Sequence, residues 1–454
     1  MPSRAFAAED DRAAGKAARA LVPRRAHVAF GVPPRDPVEI LEAQHATRDP
    51  ELVPIRIGRM LETPFAYYRG SAAVMAHDLA RDTATGFHVV ACGDAHAANF
   101  GLFASPERRL VFDLNDFDEA YPGPWEWDVK RLAASLWLSG RNNGHSEGRC
   151  REAAEAAAGS YRTSLGRLAS LGALERYYFQ VEADALPKMA RPAARKARAR
   201  TSEQVLAKLA TASDGGRERI VDQPPLVRHP RVRDMERMEG LFRDYRAVLR
   251  PDVALLLAQY ELVDYALRIV GVGSVGTRCF IVLLRGPQGE PLFLQAKEAG
   301  ASVLQTHGRV ADVPWAVERQ ITTLGQGRRV VAAQRILQAQ SDPMLGWVAG
   351  VAGEDGRRRD YYIRQFRDMK GSFALERLTA GESEEYGAVC GALLARAHIQ
   401  SPGAAFIAGY LGSSSVYEES VARWARRYAD LAEADHAALG EAVRSGRLPA
   451  ETGV

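Results

Sequence analysis

Residues 92–101 read CGDAHAANFG and directly follow an apolar run at 87–91 that predicts a buried strand. Asp94 stands five residues before Asn99, on the loop that leaves this strand. Phosphoryl transfer needs a carboxylate that orients the attacking hydroxyl. It also needs oxygen ligands that hold Mg²⁺ on the phosphates, and an Asp and an Asn at this spacing can supply both roles. The alternative is an ordinary loop in which Asp94 forms an Asx turn and Asn99 caps the backbone. His96 can assist at the phosphate or brace the loop through a hydrogen bond.

A second predicted strand, at 110–112, ends in the acidic cluster DLNDFDEA. Four carboxylates fall within seven positions there, and such crowding is costly unless a cation neutralises it. Asp116 comes 17 residues after Asn99, and we predict that it binds Mg²⁺, which usually takes one or two carboxylates plus phosphate oxygens. The alternative is a solvated acidic turn in which Asp118 or Glu119 caps the following helix.

The segment GVGSVGT at 271–277 places three glycines between two predicted antiparallel strands. A dinucleotide-binding fold would require a helix after such glycines, but here the strand RCFIVLLRG follows. The next predicted strand, PLFLQAKEA, carries Lys297. This arrangement lays backbone amides over ATP and directs one lysine at its phosphates. The alternative is a plain hairpin whose edge carries a solvated lysine.

These segments resemble the bacterial family filed as domain of unknown function 2252, which is grouped with the protein-kinase-like and aminoglycoside-phosphotransferase superfamily. The resemblance runs from about residue 25 to 435 and is carried by RMLETPFAYYRG, CGDAHAANFG, VFDLNDFDEAYPGPWEWDVKRLAAS, GVGSVGTRCFIVLL, LQAKEA, YYIRQFRDMKGS, LLARAHIQS and IAGYLG. It implies an α+β, two-lobed protein-kinase-like fold. Because the catalytic loop precedes the Gly-rich loop, we expect a circular permutation of that fold, which proteins tolerate when their termini lie close together.

The predicted elements divide the chain into five regions. Residues 1–50 are a lead-in with a short helix, and 51–146 hold the catalytic loop and metal site. Residues 147–261 are predicted to be a helical region of the larger lobe, with a solvated basic run at 191–200. Residues 262–370 form a nucleotide-binding β-sheet with its helix, and 371–454 a C-terminal helical region of the larger lobe. ATP and Mg²⁺ are expected between the lobes.

The resemblance also implies roles for single residues. Asp94 is similar to the catalytic aspartate, Asn99 and Asp116 to the metal ligands, and Asp128 to an aspartate that braces the catalytic loop. The residues that resemble the nucleotide loop, the phosphate-pairing lysine and the hinge at adenine are Gly271, Val272, Gly273, Ser274, Gly276, Lys297, Gln365, Phe366 and Arg367.

Two departures from the superfamily pattern concern the site. Cys92 stands where most relatives begin the catalytic loop with histidine. Ala332 stands where the helix after Lys297 should offer it a glutamate, which leaves Glu318 or Glu298 as the predicted partner. His398, on a later helix, is predicted to be structural.

Composition sets the remaining expectations. The formal net charge is only +4 over 454 residues and no apolar run reaches membrane-spanning length, so we predict a cytoplasmic protein that binds neither nucleic acid nor membrane. The four cysteines have neither metal-ligand nor disulfide-framework spacing. The resemblance implies an ATP- and Mg²⁺-dependent phosphotransferase with an unknown phosphoryl acceptor. The alternatives are transfer of AMP on the same scaffold and a non-catalytic nucleotide-binding protein.

Overall fold

The computed structural model describes residues 8–32, 34–212, 218–230, 234–269, 271–273, 275–310, 325–353 and 355–453. Ser274 and Glu318, both predicted to serve the nucleotide, lie outside these ranges.

Helices and strands alternate irregularly along the chain. The helices are α1 Ala8–Ala18, α2 Pro37–His45, α3 Val53–Leu61, α4 Pro64–Gly70, α5 Ala72–Leu79, α6 Trp125–Asn142, α7 Glu147–Leu168, α8 Ala173–Tyr178, α9 Arg191–Arg198, α10 Ser202–Leu209, α11 Met235–Ala247, α12 Pro251–Leu257, α13 Val303–Thr306, α14 Gln326–Leu337, α15 Ala380–His398, α16 Ala405–Leu411 and α17 Val416–Arg444. The strands are β1 His88–Ala91, β2 Phe100–Ala104, β3 Leu110–Leu114, β4 Tyr121–Pro124, β5 Ala210–Ala212, β6 Glu218–Ile220, β7 Val227–Arg228, β8 Glu261–Arg268, β9 Cys279–Arg285, β10 Pro291–Ala299, β11 Gly346–Ala352 and β12 Arg358–Gln365. This mixture confirms the predicted α+β class.

Six of the described strands form one antiparallel sheet in the order β11-β12-β10-β9-β8-β7. The glycine-rich segment joins β8 to β9, and the third strand of this run, β10, carries Lys297. Successive residues of a strand point to opposite faces. Leu294 and Ala296 accordingly pack in an apolar cluster with α11 and α12, whereas Lys297 reaches an acidic residue on the other side.

A larger apolar core joins distant segments of the chain. It unites residues of α6, α7, α15, α16 and α17 with those of two short two-stranded sheets, β1–β4 and β2–β3. The ring of Trp125, at the start of α6, stacks on Tyr161 of α7 with centroids 5.8 Å apart. Because the loops after β1 and β3 leave this core, it fixes the positions of their polar side chains.

Two of the predicted regions differ in the structure. Residues 1–50 form more than a lead-in, because α1 packs on α16 so closely that a Cβ on Gly15 would lie 1.9 Å from the carbonyl oxygen of Phe406. The region 147–261 is not all helical: it contains β5, β6 and β7, and β7 extends the large sheet. Its last helices, α11 and α12, cover that sheet. These strands have two or three residues each, too few for an alternating pattern to reveal.

None of the helices in the described ranges is both long and apolar enough to cross a membrane. All four cysteines are buried and free, as their spacing predicted.

Candidate functional site

A cavity of about 270 Å³ lies where the loops after β1 and β3 meet the glycine-rich segment and the end of β10. Predicted residues from both halves of the chain line it: Asp94, His96, Asn99, Asp116, Gly271, Val272 and Gly273. A larger cavity of about 610 Å³ lies on the opposite face of the sheet, under α11, and is lined mainly by apolar side chains. The smaller cavity is the candidate site because it gathers the ionisable groups that chemistry requires.

The loop that carries Asp94 has a sharply turned backbone. Gly93 adopts a φ of 76°, and a Cβ there would lie 2.1 Å from the carbonyl oxygen of Glu119. Only glycine satisfies both conditions. Asp128, near the start of α6, braces the loop from below, since its carboxylate accepts bonds from the amides of Cys92 at 2.6 Å and Gly93 at 2.9 Å. This contact has the form that the resemblance predicted for Asp128.

The brace continues into the core. His398 contacts Asp128 through Nε2 at 3.1 Å, and the Tyr161 hydroxyl lies 2.8 Å from His398 Nδ1. The side chains of this series are all buried. His398 therefore has the structural position that the sequence predicted for it.

Removing the Tyr161 hydroxyl tests this brace. Tyr161→Phe should lower the free energy of unfolding by about 1–2 kcal/mol, because it leaves His398 Nδ1 buried without a partner. Urea unfolding at pH 7 measures the change. The control is Tyr178→Phe, whose ring is exposed, and a Tyr161→Phe protein as stable as that control would contradict the brace.

The Asp94 carboxylate lies between a permanent cation and an imidazole. Arg131, three residues after Asp128 on α6, approaches Asp94 Oδ1 to 2.6 Å, and His96 Nε2 lies 3.8 Å from Oδ2. Burial raises the pKa of Asp94 to about 7, although Arg131 opposes that rise. Burial and the charges of Arg69 and Arg131 lower the pKa of His96, so its imidazole is neutral near pH 7. A carboxylate with such a pKa is suited to general-base chemistry at neutral pH.

Asn99 joins the two acidic loops. Its Nδ2 donates to the carbonyl oxygens of Asp94 and Asp116, both at 2.9 Å, and its Oδ1 accepts from the amide of Asp116 at 2.7 Å. The side chain is 3% exposed. A carbonyl oxygen has two lone pairs, so Oδ1 keeps one acceptor site for a cation.

Lys297 meets the acidic cluster, 181 residues away in sequence. Its Nζ lies 3.2 Å from Asp116 Oδ2 and also contacts Asp118, which explains how two neighbouring carboxylates are tolerated. Burial raises the pKa of Asp116, but Lys297 and Arg364 outweigh it and hold that pKa below its ordinary value. Burial and the charge of Asp116 raise the pKa of Asp118. The alternative interpretation gave Asp118 or Glu119 the role of a helix cap, whereas in the structure Asp118 contacts this lysine.

Among the residues that the structure describes, no glutamate pairs with Lys297, although one was predicted to do so. Glu298 pairs with Arg278 at 3.4 Å and with Arg359 at 3.2 Å instead. It points away from Lys297 because adjacent strand residues face opposite sides of the sheet. The helix α14 presents Arg329, which donates to the carbonyl oxygens of Asp118 at 2.7 Å and Gly300 at 2.8 Å.

The glycine-rich segment lines the cavity from above and is held by the loop between α2 and α3. The amide of Asp49 donates to Gly276 O at 2.8 Å, and Arg48 donates to the carbonyl oxygen of Val275. Gly271 and Gly276 have φ values of 67° and 93°, which require glycine. This contact with residues near Arg48 had no signal in the sequence.

The predicted hinge does not reach the cavity. The amide of Gln365 donates to Asp342, and the amide of Phe366 donates to Phe293 O at 2.8 Å. The Phe366 ring is 5% exposed within an apolar cluster, and the Arg367 guanidinium lies over it. The amides of Gln365 and Phe366 are therefore already paired within the protein.

Several cationic side chains surround the acidic residues of the cavity. They were not predicted from the sequence. Arg131 could have been found, because it lies one helical turn from Asp128 on the same face of α6. The others arrive through long-range packing and have no local signal. They are Arg48, Arg56, Arg69, Arg364 and Lys370.

Comparison with known proteins places the chain in one family. No curated protein matches it, and no solved structure matches it either. The family model for DUF2252, described as an uncharacterized protein conserved in bacteria, matches residues 48–442, which include both acidic loops, the glycine-rich segment and Lys297. The chain therefore belongs to this bacterial DUF2252 family.

Proposed function

We propose that this protein is an ATP- and Mg²⁺-dependent phosphotransferase with a circularly permuted, two-lobed protein-kinase-like fold. One observation carries the proposal. Lys297 Nζ lies 3.2 Å from Asp116, although 181 residues separate them, and the cavity at this contact is lined by Asp94 and the glycine-rich segment. A plain hairpin or a solvated acidic turn gives no reason for these groups to meet.

The order of elements supports the nucleotide-binding lobe. A strand, a glycine-rich loop, a second strand, a tight turn and a lysine-bearing strand follow one another, and then come a helix and a hairpin. The catalytic-loop region precedes this lobe in the chain, as a permuted kinase-like protein requires. The proposed lobe is the sheet β7–β12 with α14, and the larger lobe is the helical core around α6.

Within this proposal, Asp94 orients the acceptor hydroxyl and accepts its proton. Arg131 holds the carboxylate in place, and Asp128 fixes the backbone beneath it. The neutral imidazole of His96, 3.8 Å from Asp94, lies on the same side and can donate a hydrogen bond to the transferring group.

The acidic loop fits a magnesium ion that arrives with the nucleotide. No group of three or more His, Cys, Asp or Glu side chains within the described ranges forms a metal cage, and Mg²⁺ on ATP does not need one. Asp118 Oδ1 is buried without a hydrogen-bond partner, and Asp116 and Asn99 lie beside it. When bound, the ion would neutralise charge on the phosphates. Lys297 would exchange its carboxylate partners for phosphate oxygens as the nucleotide enters.

The test is an assay of transfer from ATP labelled at the γ-phosphate to a metabolite mixture and to the protein itself, with product masses recorded. A phosphoryl mass increment supports the proposal. An adenylyl increment would instead support transfer of AMP. Binding of Mg-ATP without any turnover would support a non-catalytic nucleotide-binding protein.

The pKa of Asp94 predicts the pH dependence. A base must be ionised to act, so activity should rise with pH through about 7 and be lost as pH falls below that value. Burial and the charge of Arg364 also lower the pKa of Lys370, to about 7, so this lysine titrates in the same range. The variant Lys370→Arg separates the titration of Asp94 from that of Lys370, because arginine stays charged throughout this pH range. The profile of turnover against pH should keep its rise in this variant, and a profile flat from pH 6 to 8 would contradict the role of Asp94.

A further inference from the structure

The cations and the carboxylates of the cavity are unequally paired. Asp94, Asp116 and Asp118 each have a cation within ion-pair distance, and Glu119 accepts a bond from the amide of Val303 at 2.7 Å. Five cations that line the same cavity form no ion pair with a carboxylate among the residues that the structure describes. They are Arg48, Arg56, Arg69, Arg364 and Lys370.

Three of these cations are held by neutral groups. Arg56 donates to Gly70 O at 2.6 Å, and Arg364 donates to Asn115 O at 2.9 Å. Arg48 donates to a backbone carbonyl of the glycine-rich segment. Backbone carbonyls orient a guanidinium but leave its charge uncompensated, and burial makes that charge costly.

The side chains of Arg69 and Lys370 are not oriented by any backbone carbonyl of the described residues. Neither side chain donates a hydrogen bond to any residue of the described ranges, although both are half-buried, and Arg69 Nε is fully shielded without a partner. Arg69 lines the cavity beside Asp94 and His96, and its charge helps to lower the pKa of His96. Its carbonyl oxygen would lie 3.2 Å from a Cβ on Gly273. Arg69 therefore lies between the proposed base and the glycine-rich segment.

We propose that the phosphoryl acceptor is a small anion that carries a phosphate or carboxylate group and binds at Arg69. This inference rests on the proposed phosphotransferase function. ATP with one Mg²⁺ brings only about two net negative charges, and Lys297, Arg364 and Lys370 lie around Asp116, where it would bind. The positive charge on the Asp94 side is then left for the second substrate. A cationic acceptor of the aminoglycoside type would face the like charges of Arg69, Arg56 and Arg48.

A matched pair of probes tests this. Glycerol 3-phosphate and glycerol differ only in the phosphate, and binding of each is measured by calorimetry on the full-length protein saturated with Mg²⁺ and a non-hydrolysable ATP analogue. We expect glycerol 3-phosphate to bind at least about tenfold more tightly than glycerol or an aminoglycoside. Arg69→Met should abolish this preference and Arg69→Lys should keep part of it. Arg423→Met, an exposed site on α17, is the control.

The outcomes are distinguishable. Analogue binding with no preference for the phosphorylated probe, or a preference that survives in Arg69→Met, overturns this inference and leaves the phosphotransferase proposal intact. A preference without any binding of the ATP analogue supports an anion site at Arg69 and contradicts the proposed function. Folding is checked separately: because the Arg69 side chain loses no hydrogen bond to the described residues, Arg69→Met should melt at or above the wild-type temperature. A large loss of stability would show a structural role instead.

Discussion

Lys297→Met should lower the free energy of unfolding of the ligand-free protein by about 1–3 kcal/mol, because solvent partly screens the carboxylates that lose their partner. Lys297 is 2% exposed, and its ammonium is the cation in contact with both Asp116 and Asp118. Methionine matches its length but leaves the partly exposed carboxylates of Asp116 and Asp118 without that counter-charge. Urea unfolding of the two proteins at pH 7 measures the loss.

A second substitution separates charge from packing. Asp118→Asn in the Lys297→Met background removes one of the stranded charges and should restore a fraction of the lost stability. Lys208→Met, on the exposed face of α10, serves as the control and should be neutral. If Lys297→Met is as stable as this control, the lysine is a solvated edge residue and the ion pair does not contribute to the free energy of unfolding.

The same variant tests the proposed nucleotide site. In the wild type, Mg-ATP should raise the melting temperature by mass action, because it binds only the folded state. Lys297→Met should lose most of that shift, since the lysine proposed to meet the phosphates is gone. A shift equal to that of the wild type would place the nucleotide elsewhere.

The sequence could predict the features of this molecule that local chemistry determines. Strands β9 and β10 have clear apolar runs bounded by Gly and Pro, so Lys297 could be assigned to a strand and the glycine-rich segment to a turn. Asp94 and Asp116 could be recognised because each follows an apolar strand, where a polar loop must begin. The contact of Asp128 with Gly93 followed from a family resemblance rather than from any spacing in this chain.

The remaining features depend on packing between distant segments. Arg69 and Lys370 reach one cavity from opposite ends of the chain, and no periodicity marks them. Asp118 contacts Lys297 from the other side of the cavity, whereas the predicted partner Glu298 pairs with arginines and Glu318 lies outside the described residues. The Phe366 ring of the predicted hinge likewise lies in an apolar cluster that long-range contacts create.

Asp94 offers the sharpest separation of binding from chemistry. Its carboxylate bonds to Arg131 at 2.7 Å, and its backbone oxygen accepts from Asn99 at 2.9 Å. Asparagine keeps the shape and can still accept from Arg131 through Oδ1, so the loop should keep its geometry. What is lost is the negative charge that, in the proposed function, orients an acceptor hydroxyl and takes its proton.

Asp94→Asn should therefore reduce turnover by about 10²–10⁴-fold while the dissociation constant of Mg-ATP changes by less than about threefold. Single-turnover transfer of labelled γ-phosphate measures the first quantity, and calorimetry measures the second. The residual activity should also lose the part of its rise through pH 7 that Asp94 causes, because that carboxylate is gone. Asp252→Asn, at an exposed position on α12, controls for the loss of a carboxylate as such. An Asp94→Asn enzyme with wild-type turnover would remove Asp94 from the chemistry. An enzyme that has lost turnover and nucleotide binding together would make Asp94 a component of the nucleotide site instead, and the proton would then have to leave through His96 or solvent.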